Sequence, residues 1–146
     1  MALLNSKLLE WYFLLGSSNS KVNEYQFNNL PCPVFKATVV ENDREITNQI
    51  SRLVSSAKWG DLWDLVHELD LCRPPLPRAA ETLLRLLAGR ICEIEQNRGP
   101  VSKIARAHLA SESEPIQHLI DRLLFAMAGF SDQEVKQLET RLEGLV

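Results

Sequence analysis

The chain has 146 residues, of which 45% are hydrophobic and 24% are charged, and its formal net charge is −3. This length suits one domain or two small helical subdomains, and the composition excludes wholesale disorder. No apolar run approaches the roughly 20 residues that a membrane-spanning helix needs. Asn5, Ser6, Lys7 and Glu10 interrupt the apolar start, so it does not match a secretory signal either. We therefore expect an intracellular, cytoplasmic protein.

Charge is distributed unevenly along the chain. Residues 73–108 carry seven basic and three acidic groups, whereas 41–72 and 109–146 each carry three basic and seven acidic groups. The net negative charge by itself argues against nucleic-acid binding, because phosphate contacts need clustered cations. The basic residues of the middle segment could face phosphates, but they fall at mixed helical phases rather than on one stripe, so we favour pairing with acidic neighbours and solvation. These residues are Arg73, Arg78, Arg85, Arg90, Arg98, Lys103 and Arg106.

The first 40 residues are predicted to form a small α+β piece. A broad apolar face predicts a helix over 2–15, which a polar loop beginning at Gly16 ends. Apolar and polar residues then alternate over 22–30, which is consistent with a short strand or an extended segment. Pro31 and Pro33 remove two backbone donors and turn the chain away from any sheet.

The remaining residues, 41–146, are predicted to form a bundle of about five helices, so the fold class is mainly α. Asn42 or Asp43 is a suitable N-cap for the first of these helices, and Pro115 suits the first turn of the fifth. Ser131 and Glu134 have the spacing of a capping box before the last helix. The predicted segments are about 43–57, 59–71, 77–96, a shorter helix over 101–110, 115–128, and a last helix from 131.

Familiar catalytic and metal-binding motifs are absent from the sequence. Cys32, Cys72 and Cys92 are odd in number and far apart, so we expect buried or half-buried free thiols. The three histidines are isolated, and no nucleophile elbow, phosphate-binding loop or HExxH sequence occurs. We therefore predict no catalytic residue, no metal and no cofactor for this chain.

Three blocks occur in an order that resembles a known family. They are Leu-Leu-Asn-Ser-Lys-Leu at 3–8, Asn-Leu-Pro-Cys-Pro at 29–33 and Ile-Asp-Arg-Leu at 120–123. A turn led by Gly129 and a helix follow the third block. Together they resemble the C-terminal specificity region of adenine-specific DNA methyltransferases and of TaqI-like fused restriction-modification enzymes. The match is specific over 2–33 and 116–135, whereas 70–110 has no counterpart and is interpreted as an insertion or a partner-binding element.

The resemblance implies a region that grips double-stranded DNA beside a separate catalytic domain and helps to choose the target sequence. The family as a whole transfers methyl groups from S-adenosylmethionine to adenine. Its glycine-rich cofactor turn and its base-holding loop are missing here. We therefore expect a non-catalytic target-recognition part, whose partners are DNA and a catalytic methyltransferase chain.

Candidate DNA contacts lie mainly in the polar loop between the first helix and Pro31. Asn and Gln side chains can bond adenine through two hydrogen bonds, and Lys side chains can bind phosphates. The candidates are Lys7, Ser18, Asn19, Ser20, Lys21, Asn23, Gln26 and Lys36. A loop of this composition is also common without any binding role.

Two further expectations concern packing. The aromatic residues Trp11, Tyr12 and Phe13 are predicted to pack against 29–33 rather than to stack on bases. An alternative function is a helical protein–protein interaction module without DNA binding. In that case, the apolar faces of 83–94 and 116–127 would pair with another subunit.

Overall fold

A computed structural model describes the backbone of residues 6–16, 32–35, 42–96 and 103–143, and the side chains of 6–12, 32–35, 42–96 and 111–141. Within these ranges the chain forms six helices, which confirms the prediction of a mainly α fold with about five helices after the first. The helices are α1 (Lys7–Gly16), α2 (Asp43–Ser55), α3 (Trp59–Glu68), α4 (Arg78–Gln96), α5 (Lys103–Met127) and α6 (Asp132–Glu143).

Extended structure in the described ranges is limited to one isolated parallel bridge between Phe35 and Leu76. This bridge places the residues after Pro33 beside the segment that precedes α4. The predicted strand or extended segment over 22–30 lies outside the described residues.

The core forms where α4 packs between α2 and α5, while α1 and α3 pack against α5. Leu83 and Leu87 of α4 and Ile120 and Leu123 of α5 are fully buried, at helical spacings of three and four. Burial of such aliphatic side chains is the main favourable contribution to folding, at about 1.5–3 kcal/mol each. The two apolar faces that the alternative function required are therefore covered within the chain itself.

Helix α5 differs from the prediction, because Pro115 lies inside one 25-residue helix instead of starting a new one. A proline within a helix removes one amide donor and leaves the carbonyl four residues earlier without its usual partner. That carbonyl belongs to Ser111, whose side chain is exposed, so water can reach this face of the helix. Directly after Pro115, Ile116 and Leu119 are buried in the core, and this burial favours the continuous helix.

Three helices end in the same hydrogen-bonded turn, in which one residue adopts a positive φ angle. After α5, the Gly129 N–H donates to the Ala126 carbonyl and the Phe130 N–H donates to the Phe125 carbonyl, each at 3.0 Å. Gly129 has φ of +85°, which suits glycine. Its predicted role as the terminator of this helix is confirmed.

The turns after α2 and α3 use residues that pay a steric cost at positive φ. Ala57 has φ of +53° after α2, and Asp70 has φ of +50° after α3. The latter turn buries Leu71 directly after a helix that ends at Glu68, three residues earlier than predicted. These two positions are sites where glycine would fit better than the native residue.

Helix starts follow the sequence signals only in part. Asn42 is the N-cap of α2, but its side chain makes no capping hydrogen bond. The capping box of α6 is confirmed: the Ser131 N–H donates to Glu134 Oε2 at 2.8 Å, and the Glu134 N–H donates to Ser131 Oγ at 3.4 Å. The Ser131 hydroxyl, which donates to Glu134 Oε2 at 2.7 Å, and the Ser131 N–H lower the pKa of the Glu134 carboxyl.

The cysteine prediction holds for one thiol and is wrong for two. Cys72 is half-buried, with Sγ 4.0 Å from the Leu123 carbonyl, and burial raises the pKa of its thiol to about 11. Cys32 and Cys92 are exposed. Cys92 lies on α4 between the inward-facing Ile91 and Ile94, at a phase that points to solvent.

A glycine-to-alanine substitution should have opposite effects at the helix terminator Gly129 and inside α4. We expect Gly129→Ala to lower the free energy of unfolding by about 1 kcal/mol, because alanine is strained at positive φ even though open space surrounds the site. Gly89→Ala, inside α4 and equally open, is the matched control. It should raise the free energy of unfolding by about 0.5–1 kcal/mol. Urea unfolding measures both. A neutral or stabilising Gly129→Ala contradicts the terminator role.

The thiols predict a simple labelling pattern. Because thiolate is the reactive form, Cys72 should resist alkylation in the native protein at pH 7.5, while Cys32 and Cys92 react. Mass spectrometry of iodoacetamide-treated protein should therefore show two modified cysteines in the native state and a third only in denaturant. Rapid native labelling of Cys72 would show that its surroundings are open.

Candidate functional site

The start of α1 is held against α5 by a buried carboxylate. Asp121, only 3% exposed, accepts a hydrogen bond from the Lys7 backbone N–H at 2.9 Å and another from Gln117 Nε2 at 3.3 Å, both on Oδ1. Ser6 adds a local cap, since its Oγ accepts a hydrogen bond from the Leu9 N–H at 3.3 Å. The first amides of α1 thus have two acceptors, one on Asp121, 114 residues away in the sequence, and one on the neighbouring Ser6.

Burial governs the ionisation of Asp121. Desolvation raises the pKa of its carboxyl, while the Lys7 N–H bond, the Gln117 bond and the positive charges of Lys7 and His118 act in the opposite direction without cancelling it. A raised folded pKa means that the folded state binds a proton more readily than the unfolded state does. The contribution of this group to stability therefore improves as the pH falls from neutral towards 3.8 and is least favourable above its folded pKa.

Aromatic rings extend the same junction along α1. The Trp11 ring meets the Phe130 ring edge-on at 5.5 Å between centroids, and Phe130 meets Phe125 in the same way at 5.7 Å. Trp11 thus packs on the turn between α5 and α6, and its predicted packing against 29–33 stays a prediction, because 29–31 lie outside the described residues. Tyr12 is half-buried, and the Phe13 side chain lies outside the described residues.

Leu8, one turn before Trp11, is the α1 residue that approaches the proline block. It lines a cavity of about 240 Å³ together with Cys32 and Pro33 and with residues of α5. The first and second blocks of the resemblance therefore border a common space, with α5 as its opposite wall.

Of the predicted DNA contacts, the structure describes only Lys7. Its Nζ lies 3.3 Å from Glu139 Oε1 on α6, and its side chain is 40% exposed. This ion pair joins α1 to α6 and leaves part of the ammonium accessible. The other candidates, Ser18, Asn19, Ser20, Lys21, Asn23, Gln26 and Lys36, lie outside the described residues, so their DNA contacts stay predictions.

A second feature is a groove of about 540 Å³ between α3, α5 and α6. The guanidinium carbon of Arg122 lies 3.9 Å from the centre of the Trp63 ring, and His67 meets that ring edge-on at 4.6 Å. The groove is lined by Trp63, His67, His118, Arg122, Ala126, Phe130, Ser131, Asp132, Val135, Lys136 and Glu139. We call it the Arg122 groove.

The Arg122 groove could not be predicted from the sequence, because residues of three helices line it. Two local signals were available: Trp63 and His67 are four residues apart on α3, and His118 and Arg122 are four apart on α5. Such spacing places each pair on one helix face. Nothing in the sequence indicates that the two faces meet.

The basic middle segment behaves partly as expected. Arg73 pairs with Asp70 at 3.5 Å and Arg90 pairs with Glu93 at 2.9 Å, so the expected pairing is confirmed for these two. Arg85 has no ion pair among the described side chains. Such local exposed pairs contribute about 0–1 kcal/mol each.

Within the described residues, no group of three or more His, Cys, Asp or Glu side chains could hold a metal ion. None of the described helices is both long and apolar enough to cross a bilayer. Comparison with family models, with curated proteins and with solved structures gives no match for this chain.

The buried carboxylate predicts contrasting effects for two substitutions. Asp121→Ala leaves the Lys7 N–H without its acceptor and should lower the free energy of unfolding by about 1–3 kcal/mol. Asp121→Asn keeps an acceptor oxygen and removes the buried charge, so it should cost much less at pH 7.

A comparison of the native protein with Asp121→Asn tests the direction of the pKa shift of Asp121. The difference in stability between native protein and Asp121→Asn should change in favour of the native protein as the pH falls from 7 to about 4, because the native carboxyl then becomes neutral. Urea unfolding at several pH values measures this difference. A change in favour of the asparagine variant on acidification would mean that the folded pKa is lowered.

Proposed function

We propose that this chain is the non-catalytic, DNA-recognising C-terminal part of an adenine-specific DNA methyltransferase or restriction-modification enzyme. Its work is to position double-stranded DNA, and the methyl transfer takes place on a separate catalytic chain or domain. The proposal rests on the sequence resemblance, and one structural observation supports it.

That observation is the contact between the first and third blocks of the resemblance. Ser6 and Lys7 belong to Leu-Leu-Asn-Ser-Lys-Leu, Asp121 belongs to Ile-Asp-Arg-Leu, and the carboxylate of Asp121 bonds the first amide of α1. The turn that follows the third block supplies Phe130, which packs on Trp11. Blocks separated by more than 100 residues thus belong to one structural unit, as expected if they derive from a common specificity region.

The position of α1 connects this unit to DNA reading. Helix α1 ends at Gly16, two residues before Ser18, the first candidate of the polar loop. Anchoring α1 at Asp121 therefore fixes where that loop starts relative to α5. Side chains that read base edges need such a rigid support, since a small displacement removes their hydrogen bonds.

The alternative, a helical protein-interaction module, has less support. The apolar residues of 83–94 and 116–127 that would face a partner are largely buried in the core of the chain. Among the described large hydrophobic residues, only Val34, at 83%, is highly exposed. A catalytic methyltransferase partner remains part of the proposal.

Duplex DNA binding by the full 146-residue chain tests the proposal. We expect the logarithm of the binding constant to fall linearly with the logarithm of salt concentration, by about 0.9 for each phosphate contacted. Fluorescence anisotropy with a labelled duplex measures this slope. Binding that is undetectable at low salt, or that does not weaken with salt, would contradict the proposed function.

The polar loop can be tested separately from overall binding. Selection from a random duplex library should enrich a common sequence with the native chain, and a variant with Asn19, Asn23 and Gln26 changed to alanine should lose that enrichment. Ser55→Ala, on the exposed end of α2, is the control and should keep it. Equal enrichment by the loop variant would show that base edges are read by other residues of the chain.

A further inference from the structure

The guanidinium of Arg122 is oriented but has no anionic partner. Its central carbon lies over the Trp63 ring, 3.9 Å from the ring centre, and the residue is half-buried. No carboxylate of the described side chains lies within 4.0 Å of it. A guanidinium carries five N–H donors in one plane, and stacking on an aromatic ring leaves the edges of that plane free to bond an anion.

Other cationic and donor groups face the same space. His118 lies one turn before Arg122 on α5, and Lys136 reaches the groove from α6, where it also lacks an ion pair with any described residue. Two carboxylates line the groove as well, those of Asp132 and Glu139.

The two cations that line the groove, Arg122 and Lys136, have no ion-pair partner among the described residues, whereas its two carboxylates are compensated from outside the lining. Glu139 is matched by Lys7 at 3.3 Å, and Asp132 lies in the first turn of α6, where a helix N-terminus stabilises negative charge. Arg122 and Lys136 therefore keep positive charge available inside the groove, on a chain whose net charge is −3. An anion is therefore the ligand that this surface favours.

We propose that the Arg122 groove binds a phosphate of the DNA backbone, with Arg122 as the bidentate donor and Lys136 and His118 as flanking donors. This proposal rests on the proposed function. DNA is favoured over an acidic peptide because the groove is continuous with α1: Glu139 lines the groove and also bonds Lys7 at the start of the helix that leads to the polar loop.

The Arg122 groove and the polar loop would have different roles in DNA recognition. Phosphate contacts fix the position and orientation of a protein on the duplex, whereas base-edge contacts carry the sequence information. The groove would therefore contribute affinity and salt dependence for any DNA sequence. The polar loop would contribute the choice of sequence.

The test compares duplex binding by the native chain, by Arg122→Gln/Lys136→Gln and by Arg85→Gln over 50–200 mM salt. Loss of the phosphate contact in the groove should weaken binding about 10-fold at low salt and make the salt slope shallower by about one. Arg85 is exposed on α4 outside the groove, so its variant should bind nearly as the native chain does.

Single variants keep the test decisive if the double variant is unstable. Lys136 is exposed, so Lys136→Gln should fold normally, weaken binding, and make the salt slope shallower by less than the double variant does. Arg122→Lys keeps the charge and loses the planar stack, so it should retain most of the slope but weaken binding. Circular dichroism checks the folding of each variant.

Three results would count against one or both proposals. If the native chain binds DNA and the Arg122 and Lys136 variants bind equally well, the groove proposal fails and the proposed function stands. If only Arg85→Gln weakens binding, the phosphate contact lies on α4 and the groove proposal again fails. If the native chain does not bind DNA, both fail.

Discussion

Asp121 is a buried residue whose carboxylate is bonded to the first backbone amide of α1, and the arrangement of the chain depends on this bond. A helix N-terminus has unpaired N–H groups and a partial positive charge, so a buried carboxylate there is partly compensated. The compensation is incomplete, because burial still raises the pKa of the group. The bond therefore contributes specificity of packing at some expense of stability. It fixes which end of α1 meets α5.

Several features follow from this anchor. With its start fixed, α1 places Leu8 in the core, Trp11 on Phe130 and the Lys7 ammonium on Glu139. Helices α5 and α6 are joined to α1 by these contacts, and the Arg122 groove opens between α3, α5 and α6 beside them. In the proposed function, the polar loop after α1 and the groove are two parts of one DNA-facing unit. The contacts of Lys7 and Trp11 set the position of α1, from whose end the loop continues, relative to the groove.

Local signals in the sequence were sufficient for much of this fold. The capping box of Ser131 and Glu134 and the glycine terminator at 129 depend on neighbouring residues, and both are present as predicted. Pro115 was misread because its local preference for a helix start is weaker than the burial of Ile116 and the residues that follow. The exposed thiol of Cys92 reflects helical phase, which residue type alone does not give. The junction at Asp121 and the groove depend on helices that are distant in sequence, and no local pattern encodes such contacts.

The central claim, that Asp121 holds the start of α1 in the core, is most directly tested by native-state hydrogen exchange at the Lys7 amide. The first amides of a helix normally exchange quickly, because they lack intrahelical partners. The bond at 2.9 Å predicts that the Lys7 amide is protected to the same free energy as the core amides of α5, such as that of Leu123. Exchange of Lys7 at the rate of an open chain, while Leu123 stays protected, would contradict the account.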